Sequence, residues 1–288
     1  MQAMNKQTWK QKAKAYRSSP LSLFLLILVA LASLITVCAL LFLIGYIMVK
    51  GIPNLTPSLF AWTYNTENVS LLPALINTIL MTLLSLLIAG PLAIFAAIYL
   101  VEYAKRGNKL VEIVRVTAET LTGIPSIVYG LFGLLFFVTT LKWGYSLLAG
   151  AFTLAIMILP VIMRTTEEAL GSVPDTFREG SFGLGAGRLR TVFVVVLPSA
   201  VPGILSGVIL AIGRIVGETA ALMYTAGTVA EVPSSLLSST RTLSVHMYAL
   251  SSEGLYTDQA YATAVVLLII VLLINWLSGA LAKKVKKG

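Results

Sequence analysis

The sequence predicts an all-α membrane protein, a polytopic bundle of six transmembrane helices. Three observations predict it. Of 288 residues, 57 % are hydrophobic and 11 % charged, with a mean hydropathy of +0.90, whereas a soluble domain carries about 25 % charge. Too few charges remain to cover a water-facing surface, so lipid must solvate much of the chain. Apolar runs able to cross roughly 30 Å of hydrocarbon recur six times. The charge of +9 is also segregated. With six spans, seventeen basic residues fall on one side: Lys6, Lys10, Lys12, Lys14 and Arg17; Lys105, Arg106, Lys109 and Arg115; Arg164, Arg178, Arg188 and Arg190; Lys283, Lys284, Lys286 and Lys287. Lys50, Lys142 and Arg241 fall on the other, and Arg214 lies inside a span. The positive-inside rule then puts both termini in the cytoplasm. The charge reports orientation, so nucleic acid is not an expected partner.

Residues 1–20 read as a basic cytoplasmic tail. The first span, about Leu21 to Val49, lacks Lys, Arg, Asp and Glu. Ala30-Leu31-Ala32 resembles a signal-peptide cleavage triplet, but apolar sequence continues well past it, so an uncleaved span is expected. Pro53, Pro57, Asn54 and Asn65 mark an outer loop, closing a first segment of 21–71. The second span runs about Leu72 to Leu100, followed by a basic, amphipathic surface segment over 102–118. The third, about Leu121 to Thr140, opens with Gly123-Ile124-Pro125-Ser126, read as a helix start. The fourth spans about Ser146 to Met163, the fifth Gly203 to Tyr224, and the sixth Tyr261 to Leu281. Residues 164–198 form the longest cytoplasmic polar stretch, 231–259 an outer loop rich in Ser and Thr, and 283–288 a basic cytoplasmic tail. Asn77 is expected to pack between helices. His246, the only histidine, is expected to be a solvated loop residue.

Several function classes are excluded. Cys38 is the only cysteine, so no internal disulfide or cysteine metal cluster exists. Asp175 and Asp258 lie outside the spans, against a paired-aspartate intramembrane protease. H-E-x-x-H and G-x-S-x-G motifs are absent. No G-x-x-x-x-G-K-[ST] loop occurs, so this chain is not expected to hydrolyse ATP.

Two motifs carry function. The first is Glu179-Gly180-Ser181, three residues, Gly185, nine residues, then Val195-Val196-Leu197-Pro198. Small residues allow close helix approach, Gly185 suits a turn between two short helices, and Arg178, Arg188 and Arg190 are placed to pair with acids on a partner. The second lies inside the fifth span, where Arg214 and Glu218 at i and i+4 share a helix face and can pair. An ionisable residue in a span faces a bundle interior or a water-filled path, and arginine offers a donor fork for oxyanions. An anion path and a buried structural pair both fit.

The first motif resembles the EAA loop of ABC importer permeases. Gly180 and Ser181 replace the two alanines, and Val195 the usual isoleucine. Residues 72–282 resemble the type I permease domain, with 164–198 as its coupling loop. Gly213-Arg214-Ile-Val-Gly-Glu-Thr-Ala220, Gly123-Ile-Pro-Ser-Ile-Val-Tyr-Gly130 and Pro73-Ala-Leu-Ile-Asn-Thr-Ile-Leu80 are similar to the PstA family of phosphate-specific permeases. The resemblance implies a type I ABC importer permease fold, a multi-pass protein of the bacterial cell membrane, and a non-catalytic subunit of a phosphate importer. Glu179, Gly180, Ser181, Gly185, Leu197 and Pro198 would couple to the ATPase, and Arg214 and Glu218 would line the substrate path. Implied partners are a PstC-like permease, a PstB-like ATPase dimer using ATP and Mg, a PstS-like phosphate-binding protein and membrane lipid. No cofactor or metal is implied for this chain. A permease for another oxyanion, or the sister PstC-type subunit, is the alternative; a membrane enzyme or stand-alone channel ranks below both, since neither needs an EAA-like loop.

Overall fold

A computed structural model describes residues 20–105 and 107–285. Most of the expected N-terminal tail, Arg106, Lys286 and Lys287 lie outside the described residues. The chain divides into two units, residues 1–50 and 51–288. The first contributes α1, Pro20–Gly51, whose apolar side chains are exposed along almost its whole length. Such a surface is solvated by lipid or covered by another chain.

The second unit is helical throughout its described residues apart from turns and loops. After two short 3₁₀ turns, α2 (Leu72–Ile98) continues into one π-helical turn, Tyr99–Tyr103. Asn108 caps α3 (Lys109–Thr122), its side chain accepting a 3.0 Å bond from the Leu110 amide. Then come α4 (Ser126–Gly133), continued by a π-helical stretch to Thr140, and α5 (Leu147–Gly171). The short helix α6 (Asp175–Gly183) precedes α7 (Arg188–Thr191), a π-helical turn Val192–Val196 and α8 (Leu197–Gly217). Finally come α9 (Ala220–Met223), α10 (Leu243–Glu253) and α11 (Thr257–Val285).

Five helical segments are long and apolar enough to span a membrane: 20–54, 72–103, 147–171, 188–217 and 257–277. The sixth is a pair, α3 and the segment Ser126–Thr140, bent by 102°. Taken together the pair is a sixth candidate, either a broken span or a re-entrant element. Gly123 ends α3, and Pro125, with ψ near 139°, starts α4 in a new direction. The Tyr129 hydroxyl donates across the break to the Leu121 carbonyl at 2.7 Å.

The core lies between α2, α5 and α8. Ala89, Ala93 and Ala97, one helical turn apart on α2, are fully buried with Ala151, Leu154, Ile158 and Ile162 of α5 and Ala211 and Ile215 of α8. Small residues at this spacing let helix backbones approach closely where lipid offers no hydrophobic drive. A second cluster, Ile98, Leu170, Val173, Val192, Val196 and Ile204, closes the end that carries α6. Leu59, Leu71, Ala74, Leu243 and Ala262 close the opposite end.

Several expected boundaries move, among them the start of the fifth span's helix, at Leu197 rather than Gly203, and of the sixth, at Thr257 rather than Tyr261. The fourth span runs to Gly171 rather than Met163. The fifth ends at Gly217, not Tyr224, because the chain turns extended at Glu218. Helix α11 continues to Val285, into the expected C-terminal tail.

Candidate functional site

The motif around Glu179 folds as a helix–turn–helix. Helix α6 ends in a paired-bond cap: the Gly185 amide donates to the Phe182 carbonyl at 2.9 Å, and the Ala186 amide to the Ser181 carbonyl at 3.1 Å. This Schellman arrangement needs a left-handed residue at its turn, and Gly185 has φ of +83°. The Ser181 and Thr191 hydroxyls meet at 2.8 Å and tie α6 to α7. Leu197 and Pro198 open α8 directly after the π-helical turn. Proline lacks an amide hydrogen and crowds the preceding turn, which accounts for a widened turn at that point. Glu179 and Gly180 are exposed. So are Phe177, Phe182 and Leu189, and Leu184 at the tip is 91 % exposed. Apolar groups clustered at a loop tip suit contact with another protein or with the membrane surface.

The arginines divide their work differently from the sequence expectation. Arg178 is committed internally. Its Nη2 sits 2.6 Å from Glu102 Oε1 and its Nε 3.1 Å from the same carboxylate, with the side chains 15 % and 8 % exposed. Nη1 also donates to the Val173 carbonyl at 2.8 Å and Nη2 to the Leu170 carbonyl at 3.0 Å. Hydrogen bonding to Glu102 raises the Arg178 pKa above its ordinary value. The Arg188 guanidinium carbon lies 5.4 Å from the centre of the Tyr103 ring. Arg188 and Arg190 are both exposed and make no ion pair among the described residues, so these two fit the expected pairing with a partner. Glu102 lies in a stretch that reads as basic surface, and a single acid closing an apolar run was the available signal.

Arg214 and Glu218 do not pair. The shared face requires an unbroken helix, and α8 stops at Gly217; Glu218 is extended at φ −72° and ψ 128°. Its carboxylate turns to α9, where Oε1 accepts the Ala221 amide at 3.0 Å, and its carbonyl accepts the Ser244 hydroxyl at 2.6 Å. Arg214 is half-buried, makes no ion pair among the described residues, and lies within electrostatic reach of Tyr129. A cation so placed in an apolar helix requires water or an anion nearby.

The end of α2 remote from α6 holds a group of buried polar residues, Asn77 among them. His246 is fully buried, not solvated, because the expected outer loop folds as α10 against α2. Asn77 fixes that loop, its Nδ2 donating to the Glu231 carbonyl at 3.0 Å and the Arg241 carbonyl at 3.1 Å. Tyr64 bridges two of these groups, with Arg241 over its ring at 4.7 Å and His246 edge-on at 6.1 Å. Burial, then the Arg241 charge, lowers the His246 pKa to about 3.

The apolar helical surface, the half-buried Arg214 and the projecting helix–turn–helix agree with the resemblance to importer permeases. The chain matches, over residues 89–287, the family described as binding-protein-dependent transport system inner membrane component, and it belongs to that family. It is 35 % identical over 269 residues to "Probable ABC transporter permease protein YqgI" of Bacillus subtilis, covering 84 % of this chain and 90 % of the relative. It is 37 % identical over 242 residues to "Phosphate transport system permease protein PstA" of Pasteurella multocida, covering 80 % and 82 %. In fold it resembles a chain of the MetNI methionine ABC transporter in an inward-facing form, with TM-score 0.59, 20 % identity and coverage of 84 % and 97 %. It also resembles a chain of a bacterial alginate ABC transporter, with TM-score 0.64, 17 % identity and coverage of 90 % and 95 %. The fold is thus that of type I ABC importer permeases, whose family works with an ATPase and a substrate-binding protein.

Proposed function

We propose that this chain is the permease subunit of an ATP-driven importer of inorganic phosphate, in the bacterial cell membrane with both termini cytoplasmic. The observation that carries this reading is the projecting α6–α7 element with its exposed apolar tip, in a chain related over most of its length to proteins named PstA. A PstC-like permease completes the path, a PstB-like ATPase dimer supplies the energy from ATP and Mg, and a PstS-like protein delivers phosphate. The chain itself hydrolyses no ATP and holds no cofactor.

Within the permease domain, 72–282, Glu179, Gly180, Ser181, Gly185, Leu197 and Pro198 build the coupling element. Arg214 lines the path, where its fork of donors suits a tetrahedral oxyanion. Glu218 acts one step away, holding the chain turn that follows Arg214. Motion of the ATPase subunit displaces α6–α7, and the spans rock between inward-open and outward-open states. Uptake of radiolabelled phosphate at low external concentration, in cells with the gene deleted and restored, tests the function. Loss, rescue and competition by unlabelled phosphate but not sulfate or molybdate are expected. Uptake unchanged on deletion, in cells without a second phosphate system, would refute phosphate as the substrate.

A further inference from the structure

The π-helical turn Tyr99–Tyr103 is held by both arms of the helix–turn–helix. From α6, Arg178 grips Glu102 through two nitrogens. From α7, Arg188 lies over the neighbouring Tyr103 ring. The same Arg178 guanidinium reaches the Leu170 and Val173 carbonyls at the end of α5. One side chain therefore joins the ends of two core helices, α2 and α5, to the projecting element. The pair sits beside the apolar cluster of Ile98, Leu170, Val173 and Val192. In such surroundings an ion pair is on average no more stabilising than apolar residues of equal volume. What it adds is direction, because a bidentate carboxylate–guanidinium contact fixes distance and orientation together.

We propose that the turn Tyr99–Tyr103 is the receiver of the coupling stroke, with Glu102 and Tyr103 as positioning residues that make α2 follow α6–α7. This rests on the reading that α6–α7 docks the ATPase subunit. Glu102 is buried and is not part of the exposed docking tip. It sets how far movement at one end of the molecule is passed into the spans.

The test uses the whole transporter, purified with its ATPase subunit, reconstituted in vesicles and presented with binding protein loaded with inorganic phosphate. The readout is the ratio of ATP hydrolysis with loaded binding protein to hydrolysis without it, measured on complexes that co-purify intact. Glu102→Gln is expected to lower the ratio about tenfold, and Tyr103→Leu about threefold, within the range of coupling seen for residues in one ion-pair network. Arg178→Lys should add little in the Glu102→Gln background, and Glu102→Asp should recover part of the ratio. A double replacement, Glu102→Met with Arg178→Leu, removes the buried charges and keeps the complex assembled if Glu102→Gln alone does not; its ratio is expected to stay low. A ratio restored in that double variant, or unchanged in Glu102→Gln, overturns the proposal. Leu184→Asp serves as the separate check on docking. If the ATPase subunit still co-purifies with it, the docking reading fails; if co-purification is lost while Glu102→Gln keeps its ratio, the receiver role alone fails.

Discussion

Gly185 offers a perturbation whose cause can be isolated. Its φ of +83° lies in the left-handed region, which costs a residue with a side chain roughly 1–2 kcal/mol. A Cβ built on Gly185 meets nothing within 4 Å. Any effect of Gly185→Ala therefore comes from the backbone and not from a clash. If the turn must be formed for docking, a loss of 1–2 kcal/mol lowers affinity for the ATPase subunit by up to about 5–30-fold, since apparent affinity scales with the competent fraction. Asparagine tolerates the left-handed region and should lose less, and a β-branched residue should lose most. The expected order of affinity is Gly185, then Gly185→Asn, Gly185→Ala and Gly185→Val. The assay is titration of detergent-solubilised permease complex with purified ATPase subunit, followed by fluorescence anisotropy. Equal affinities for Gly185, Ala and Val variants would refute the argument that the left-handed turn governs docking.

Two further outcomes are expected. Arg214→Gln should reduce phosphate uptake roughly 10–100-fold, the value of a charge-assisted hydrogen bond, with assembly of the complex intact by co-purification; failure to assemble would instead assign Arg214 a packing role. For His246, the folded pKa of about 3 lies below the ordinary 6.5, so the unfolded chain takes up a proton first as pH falls. Stability is then complete above about pH 6.5 and declines by about 1.4 kcal/mol per pH unit toward pH 3, or about 2 kcal/mol at pH 5. The thermal midpoint of the solubilised protein should fall between pH 7.5 and 5, and His246→Gln should flatten that dependence; parallel curves for the two proteins would refute it.

Local encoding separates what was legible from what was not. The turn after Glu179 could be read because its geometry is set locally, the glycine at position 185 supplying the left-handed residue that stops α6. Helix existence followed from apolar runs in the same way. The break after Gly217 carries no proline, and the interactions that hold it are the Ala221 amide and the Ser244 hydroxyl on Glu218. The second of these comes from 26 residues further on, so an unbroken helix was the natural reading and with it the Arg214–Glu218 pair. His246 reads as a loop residue because its surroundings come from distant parts of the chain: the Tyr64 ring lies edge-on to it, and Asn77 holds the Arg241 carbonyl across 164 positions. Glu102 is likewise defined only by Arg178, 76 positions away.

The stripe of Ala89, Ala93 and Ala97 has a mechanical meaning beyond close approach. Alanine has no rotamer to change, so at this seam only the larger residues of α5, such as Leu154, Ile158 and Ile162, have conformations to adjust. Displacing α2 along α5 therefore disturbs few side-chain conformations, unlike a seam of leucines seated in pockets. Fewer side chains then need to repack when α2 slides along α5, the small shear of packed helices, than in a seam with leucines on both sides. A stroke delivered to the end of α2 would then be spent on translation of the whole helix rather than on deforming its packing.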